Sequence, residues 1–113
     1  MAKKSLEPLT ESMFYVLLAL RRSSMCGTEI TSYISDLTDQ RVAIGPATLY
    51  TILGKFLEED LIREIEVSGR KRTYEITAKG NDCYQREVKR MTSCLKDAEK
   101  GAAHGTATDP LSA

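Results

Sequence analysis

The side chains on which most enzymes depend are scarce in this sequence. It contains one histidine and no tryptophan, and it has no glycine-rich phosphate-binding loop. The histidine, His104, lies in a small and polar C-terminal stretch, and the acidic pair Glu58-Glu59 falls at the end of a predicted helix rather than in a pocket. We therefore expect a protein that is not an enzyme and that has no catalytic residues and no cofactor.

Cysteine is almost as rare, and its pattern excludes two further classes of protein. Cys26, Cys83 and Cys94 are widely separated and odd in number, which argues against a disulfide framework and against a zinc site. We expect a cytoplasmic protein without a bound metal, since this cysteine content suits a reducing compartment. Cysteines on helices are usually buried, but regulation by oxidation of Cys83 or Cys94 is an open alternative.

Long apolar runs and an excess of charge of one sign are also missing. The apolar run at residues 13–20 is followed by Arg21 and Arg22, and it is too short to span a bilayer. We expect no membrane association. Basic and acidic residues number 16 each, so a surface for nucleic acid has to be a local cluster of basic residues.

The chain is long enough for one domain, and its first segments predict helices. Residues 1–9 are predicted to be flexible. Thr10 is a suitable N-cap for a first helix over about 10–22. The apolar residues of this helix cover most of its circumference. A helix that is apolar on nearly all sides of so small a protein is expected to contact a dimer partner as well as its own core.

Two further helices follow with clearer amphipathic spacing. A second helix from Gly27 or Thr28 to about Leu37 carries an apolar stripe at i, i+3, i+4 and i+7. Gly45-Pro46 opens a third helix, because proline at the first helical position loses no hydrogen bond. The third helix has an apolar inner face (Leu49, Ile52, Leu53, Phe56 and Leu57) and an opposite face with Ala47, Thr48, Thr51 and Lys55, beside which lies Tyr50.

The apolar period then changes from 3.6 to 2, which predicts a β-hairpin. Ile65 and Val67 alternate with glutamates before Ser68-Gly69, and Tyr74 and Ile76 alternate with polar residues after it. We expect both apolar pairs to face the core. The basic run of residues 70–72 falls at or just after the turn.

A last helix is predicted from a cap at Thr77 to about Lys100. Its apolar stripe is spaced 4, 3, 4 and 3, as in the seam of a short coiled coil. This stripe and the first helix predict a homodimer, and residues 101–113 are predicted to be a disordered tail. The expected interface residues are Phe14, Leu18, Tyr84, Val88, Met91 and Leu95.

This order of elements predicts a mainly α fold with a small β-hairpin, namely a winged helix-turn-helix over residues 10–77 with a dimerisation helix over 78–100. In that architecture the third helix enters the major groove of double-stranded DNA and the wing lies over the backbone. The expected DNA contacts are Thr48, Tyr50, Thr51, Lys55, Arg70, Lys71 and Arg72. Three alternatives stay open: a solvated basic turn, a packing role for Tyr50, and a winged helix used for protein–protein contact.

Three segments resemble the PadR-type transcriptional regulators. Gly45-Pro46-Ala47-Thr48-Leu49-Tyr50 is similar to the start of their recognition helix. Met25-Cys26-Gly27-Thr28-Glu29-Ile30 is similar to an earlier turn, and Arg72-Thr73-Tyr74 with Ile76-Thr77-Ala78-Lys79-Gly80 is similar to their wing strand and last helix. The match runs over about residues 10–95.

The resemblance implies a sequence-specific repressor of the subfamily with a short C-terminal helix, dimeric through that helix and the partner's first helix. It also implies release from DNA by a small molecule or stress signal, with a small hydrophobic effector bound between the helices. This sequence departs from the family pattern at Cys26, Thr28, Gly54 and Asp60. The absence of tryptophan argues against a drug pocket built from indole rings.

Overall fold

The chain forms four helices and a small antiparallel sheet, and the predicted fold class is confirmed. The computed structural model describes residues 6, 8–69 and 71–104. The elements are α1 (Glu11–Arg22), β1 (Met25–Cys26), α2 (Gly27–Leu37), α3 (Pro46–Glu58), β2 (Ile62–Ser68), β3 (Lys71–Ile76) and α4 (Ala78–His104).

The helices begin at the predicted residues. At the starts of α1, α3 and α4, a capping side chain or a proline accounts for backbone N–H groups that have no partner within the helix. Thr10 Oγ1 accepts a hydrogen bond from the Met13 N–H at 3.1 Å, and Thr77 Oγ1 accepts one from the Gly80 N–H at 3.0 Å. Pro46 occupies the first turn of α3, where its missing N–H leaves no bond unmade. α3 is followed by Asp60 at a φ of 59°, a left-handed conformation that aspartate tolerates better than most residues.

The inner faces of α1, α2 and α3 form the core beneath the sheet. The apolar side chains at the i, i+3, i+4 and i+7 positions of α3 are all buried, and their burial fixes the rotation of that helix. The largest fully buried side chains are Phe56, Leu17, Ile30, Ile34, Leu49, Leu53 and Val16.

The sheet has a third strand that the sequence pattern does not predict. Its order is β1-β3-β2, and β1 pairs Met25 with Tyr74 and Cys26 with Thr73. A strand of two residues is too short for an alternating pattern to be visible. Because β1 leads directly into α2, this pairing connects the hairpin to the helical core.

The prediction that both apolar pairs of the hairpin face the core is wrong for β2. Ile65 is 46% exposed and Val67 is 56% exposed. Ile65 lies where the register shifts between Glu64 and Glu66, and Val67 lies opposite Arg72, on the face of Ile62 and Tyr74 but toward the tip of the hairpin. Ile62 takes the buried position in β2. Tyr74 of β3 is buried as predicted, and the rest of the hairpin extends beyond the core as a wing.

Both ends of the described chain are more ordered than the sequence suggests. α4 continues to His104, past the predicted end at Lys100, so residues 101–104 are helical; residues 105–113 of the predicted tail lie outside the described residues. Leu9, placed by sequence in a flexible N-terminus, is buried, and its N–H donates a hydrogen bond to Glu87 Oε2 at 3.1 Å.

Glu87 is the buried charged residue that joins the N-terminal segment to α4. Besides the Leu9 N–H, its carboxylate accepts hydrogen bonds from Arg90 Nε at 2.9 Å and Arg90 Nη2 at 3.1 Å. The hydrogen bonds from Arg90, reinforced by the bond from Leu9 and the Arg90 charge, hold the pKa of Glu87 below its usual range despite burial.

We expect opposite results from alanine at two glycines. A Cβ on Gly80 would lie 2.0 Å from the carbonyl oxygen of Leu61, whereas nothing lies within 4 Å of a Cβ on Gly54. Gly80→Ala should therefore destabilise the fold by about 3 kcal/mol or more, since backbone has to move. Gly54→Ala should stabilise it by roughly 1 kcal/mol through helix propensity. Urea unfolding of both variants measures this, and equal stabilities would contradict the close packing at Gly80.

We expect part of the acid sensitivity of the fold to come from Glu87. Because its pKa in the folded state is lowered, its contribution is present above the unfolded pKa of about 4.3 and is lost as pH falls through the folded value. Glu87→Gln should lower the free energy of unfolding at pH 7 by about 1–3 kcal/mol relative to the wild type. This difference between the two proteins should disappear toward pH 3. Urea titrations across that range test this, with Glu99→Gln at the exposed end of α4 as the control. A difference in stability between Glu87→Gln and the wild type that does not change with pH would contradict this prediction.

Candidate nucleic-acid interface

The outward face of α3 is built from small side chains. Ala47, Thr51 and Gly54 lie opposite the buried row, with Thr48 and Lys55 on one flank, and all of them are exposed. A Cβ at Gly54 would meet no atom within 4 Å. Because these side chains are short, the backbone of α3 can come close to the floor of a groove.

One flank of α3 borders the start of α1. Thr48, Thr51 and Lys55 line a groove of about 360 Å³ with residues of α1 and its N-cap. Thr51 Oγ1 donates a hydrogen bond to the Ala47 carbonyl at 2.9 Å, so its hydroxyl proton is used within the helix and its lone pairs are available to an outside donor. The three predicted contacts Thr48, Thr51 and Lys55 therefore form one group.

The other flank of α3 faces the wing. Tyr50 is 55% exposed, so nearly half of its surface is covered, and the alternative of a half-buried packing residue stays open. Its hydroxyl lies over the start of α2, where a Cβ on Gly27 would be 2.7 Å from the Tyr50 oxygen. A cavity of about 380 Å³ joins this hydroxyl to the wing and is lined by Cys26, Gly27, Thr28, Glu29, Tyr50, Lys71 and Arg72.

The start of α2 is held in place by a capping box. Glu29 Oε1 accepts a hydrogen bond from the Cys26 N–H at 2.8 Å, and Cys26 Sγ lies 3.3 Å from Thr28 Oγ1. The bond from the Cys26 backbone, then that from its thiol and the charge of Lys71, lower the pKa of Glu29 below its usual range. Glu29 is therefore a fixed negative charge beside the basic wing.

The wing carries both signs of charge. Arg72 Nη1 lies 3.5 Å from Glu64 Oε1, and Arg63 forms an ion pair with Glu75. Lys71 and Arg72 are exposed and lie beside Tyr50, whereas the predicted contact Arg70 lies outside the described residues. Sequence reasoning missed the carboxylates of Glu29 and Glu64 at this site. The alternating glutamates of β2 were the signal that could have found Glu64.

The predicted interface residues divide into two groups. The Phe14 ring stacks on Tyr84 of the same chain, with centroids 5.2 Å apart, and Leu18, Val88 and Met91 are partly exposed. Leu95 is 68% exposed. The α1–α4 contact within one chain thus covers the first part of the predicted seam and leaves the rest uncovered.

The cysteines differ in accessibility. Cys83 is buried in α4, whereas Cys94 is exposed on the same helix, and Arg90 Nη1 lies 3.9 Å from Cys94 Sγ. Of the two thiols proposed for redox regulation, only the one at Cys94 is accessible to an oxidant. In the described ranges of the chain, no group of histidine, cysteine and acidic side chains could hold a metal ion, and no helix is long and apolar enough to cross a membrane.

Among known proteins, several resemble this chain. A transcriptional regulator from Clostridium thermocellum superimposes with a TM-score of 0.71 at 24% identity, over 78% of this chain and 89% of that one. Bacillus subtilis PadR in complex with operator DNA gives a TM-score of 0.62 at 23% identity, over 70% of this chain and 47% of that one. RosR of H. salinarum gives 0.68 at 18% identity, over 88% and 96% of the two chains. These likenesses show the fold.

Sequence comparison identifies the family. An uncharacterized 37.1 kDa protein in transposon TN4556 of Streptomyces fradiae is 30% identical over 81 residues, which are 72% of this chain; the chain spans only 23% of that relative's length. Residues 16–86 match the model of the transcriptional regulator PadR-like family, and this range is more than half of the chain. The chain therefore belongs to the PadR-like family of transcriptional regulators.

Proposed function

We propose that this protein is a cytoplasmic, dimeric repressor that binds double-stranded operator DNA in a sequence-specific manner. The observation that carries the proposal is the position of Tyr50, Lys71 and Arg72 around one cavity beside the exposed face of α3. The solved complex of Bacillus subtilis PadR with operator DNA has a similar fold and supports this assignment.

In this proposal α3 enters the major groove, where its low outer surface allows close approach. Thr48 and Thr51 contact base edges with their hydroxyl groups. Lys55 and Tyr50, on opposite flanks of α3, contact the phosphates of the two strands bordering the groove, and Lys71 and Arg72 contact the backbone beneath the wing. Because phosphate contacts carry no sequence information, selectivity depends on the few polar groups of α3.

The proposed dimer covers the apolar stripe of α4. Leu95 is 68% exposed, and the stripe continues from Val88 and Met91 with coiled-coil spacing. A second copy is the occupant that we propose, because the same stripe on both chains makes a self-complementary interface. Such a dimer presents two α3 helices to successive turns of a pseudo-palindromic operator.

We further propose release from DNA by a small hydrophobic molecule. A cavity of about 330 Å³ lies between α1 and α4 and is lined by Leu9, Thr10, Glu11, Phe14, Tyr15, Glu87, Arg90 and Met91. It borders the proposed dimer seam, so a ligand there can change the angle between α4 and the winged helix. That angle sets the distance between the two α3 helices.

The wing assignment is tested by alanine substitutions. Lys71→Ala and Arg72→Ala should each weaken DNA binding to a similar extent on every sequence. Lys71→Ala should reduce the salt dependence by about one unit of slope, and Arg72→Ala by up to about one unit. Fluorescence anisotropy with labelled duplexes across a salt titration measures both effects. Lys96→Ala, far along α4, is the control. Unchanged affinity of both wing variants would refute the assignment.

The dimer is tested at Leu95. Leu95→Glu should shift the protein to a monomer, because a charge at the centre of an apolar seam is desolvated without a partner. Ser93→Glu adds the same charge to an exposed position of α4 off the seam and should leave the dimer intact. Sedimentation equilibrium gives the mass of each variant, and a wild-type mass of one chain at micromolar concentration would speak against the dimer.

A further inference from the structure

Cations of the wing already lie close to carboxylates of the same chain. Within the described residues, Arg63 pairs with Glu75 and Arg72 with Glu64, and the charge of Lys71 acts on Glu29. A wing that contacts phosphate has to exchange these internal partners for DNA. The pair of Arg72 and Glu64 adjoins the cavity beside Tyr50, because Arg72 is one of the residues that line it.

The geometry of this pair makes Glu64 the fixed member and Arg72 the movable one. Glu64 lies opposite Tyr74 in the β2–β3 ladder, and Tyr74 is buried at the base of the wing. The side chain of Glu64 is 27% exposed, whereas that of Arg72 is 62% exposed. Arg72 reaches back along β3 to the carboxylate, since residues 72 and 74 share one face of the strand.

We propose that Glu64 limits the phosphate affinity of the wing by holding Arg72 in the free protein, and that it thereby increases the share of binding energy that comes from base contacts of α3. The inference rests on the proposed function in DNA binding. Carboxylate and phosphate oxygens compete for the same guanidinium. Transfer of Arg72 from Glu64 to a phosphate therefore gains little binding free energy on any DNA sequence.

This exchange has a consequence for salt dependence. A free arginine that meets a phosphate releases condensed cations from DNA. When Arg72 leaves Glu64, the exposed carboxylate attracts a cation in return, and the net release is smaller. Removing the charge of Glu64 should therefore make binding both tighter and more strongly dependent on salt.

The experiment compares Glu64→Gln with Glu66→Gln in the full chain. Both variants lose one negative charge from β2, but Glu66 lies opposite Thr73 and so on the other face of the wing from Arg72. The probe is a fluorescein-labelled duplex of random sequence, about 30 base pairs long or three turns of B-DNA. Anisotropy is recorded over a series of NaCl concentrations, and thermal melts establish that both variants fold like the wild type.

Glu64→Gln should bind the random duplex about two- to fivefold more tightly than the wild type, as expected for loss of one exposed ion pair. Its salt slope should be steeper than that of the wild type, and Glu66→Gln should change both quantities less. In an Arg72→Ala background, the extra effect of Glu64→Gln over Glu66→Gln should disappear, because the effect acts through Arg72.

Three results would overturn the inference, and the last of them would also overturn the proposed function. If the wild type binds DNA but Glu64→Gln and Glu66→Gln behave alike, then Glu64 does not restrain Arg72 and the proposed function stands. The same conclusion follows if the excess effect persists without Arg72. If the wild type does not bind the duplex even at low salt, both the inference and the proposed function fail.

Discussion

The pairing of β1 with β3 is the constraint on which the geometry of the candidate site depends. Two residues, Met25 and Cys26, hold the hairpin against the chain that leads directly into α2. Through this short ladder the base of the wing, the start of α2 and the outer flank of α3 become neighbours. Together with the burial of Ile62 and Tyr74, it holds Lys71 and Arg72 in a fixed position relative to Tyr50, since a hairpin alone is marginally stable.

Local chemistry made most of the helical framework predictable from sequence. Thr10, Pro46 and Thr77 determine where three helices begin, and the apolar period of α3 identifies its buried face. These signals depend on neighbours within one or two turns. The family resemblance also rests on short segments, so the sequence alone is sufficient to show it.

The features that sequence reasoning missed depend on contacts between distant segments. Ile65 and Val67 are exposed because their part of β2 extends beyond the helical core, which an alternating pattern does not reveal. The hydrogen bond from Leu9 to Glu87 joins residues 78 positions apart. At the candidate site, sequence identified the cations but not their carboxylate partners, because the pairing of Arg72 with Glu64 depends on the register of two strands.

α4 is the feature with the widest consequence for how the molecule folds. It has 27 residues and is therefore about 40 Å long, yet residues 92–103 are exposed along their whole length. A helical segment of that size is marginal in water by itself. In a single chain this part of α4 can fray while the core stays folded, and a second copy that covers it would order it. The protein concentration would then determine how much of α4 is ordered. Because assembly and ordering would be coupled, the ordered fraction of α4 would rise steeply with the number of molecules in a cell.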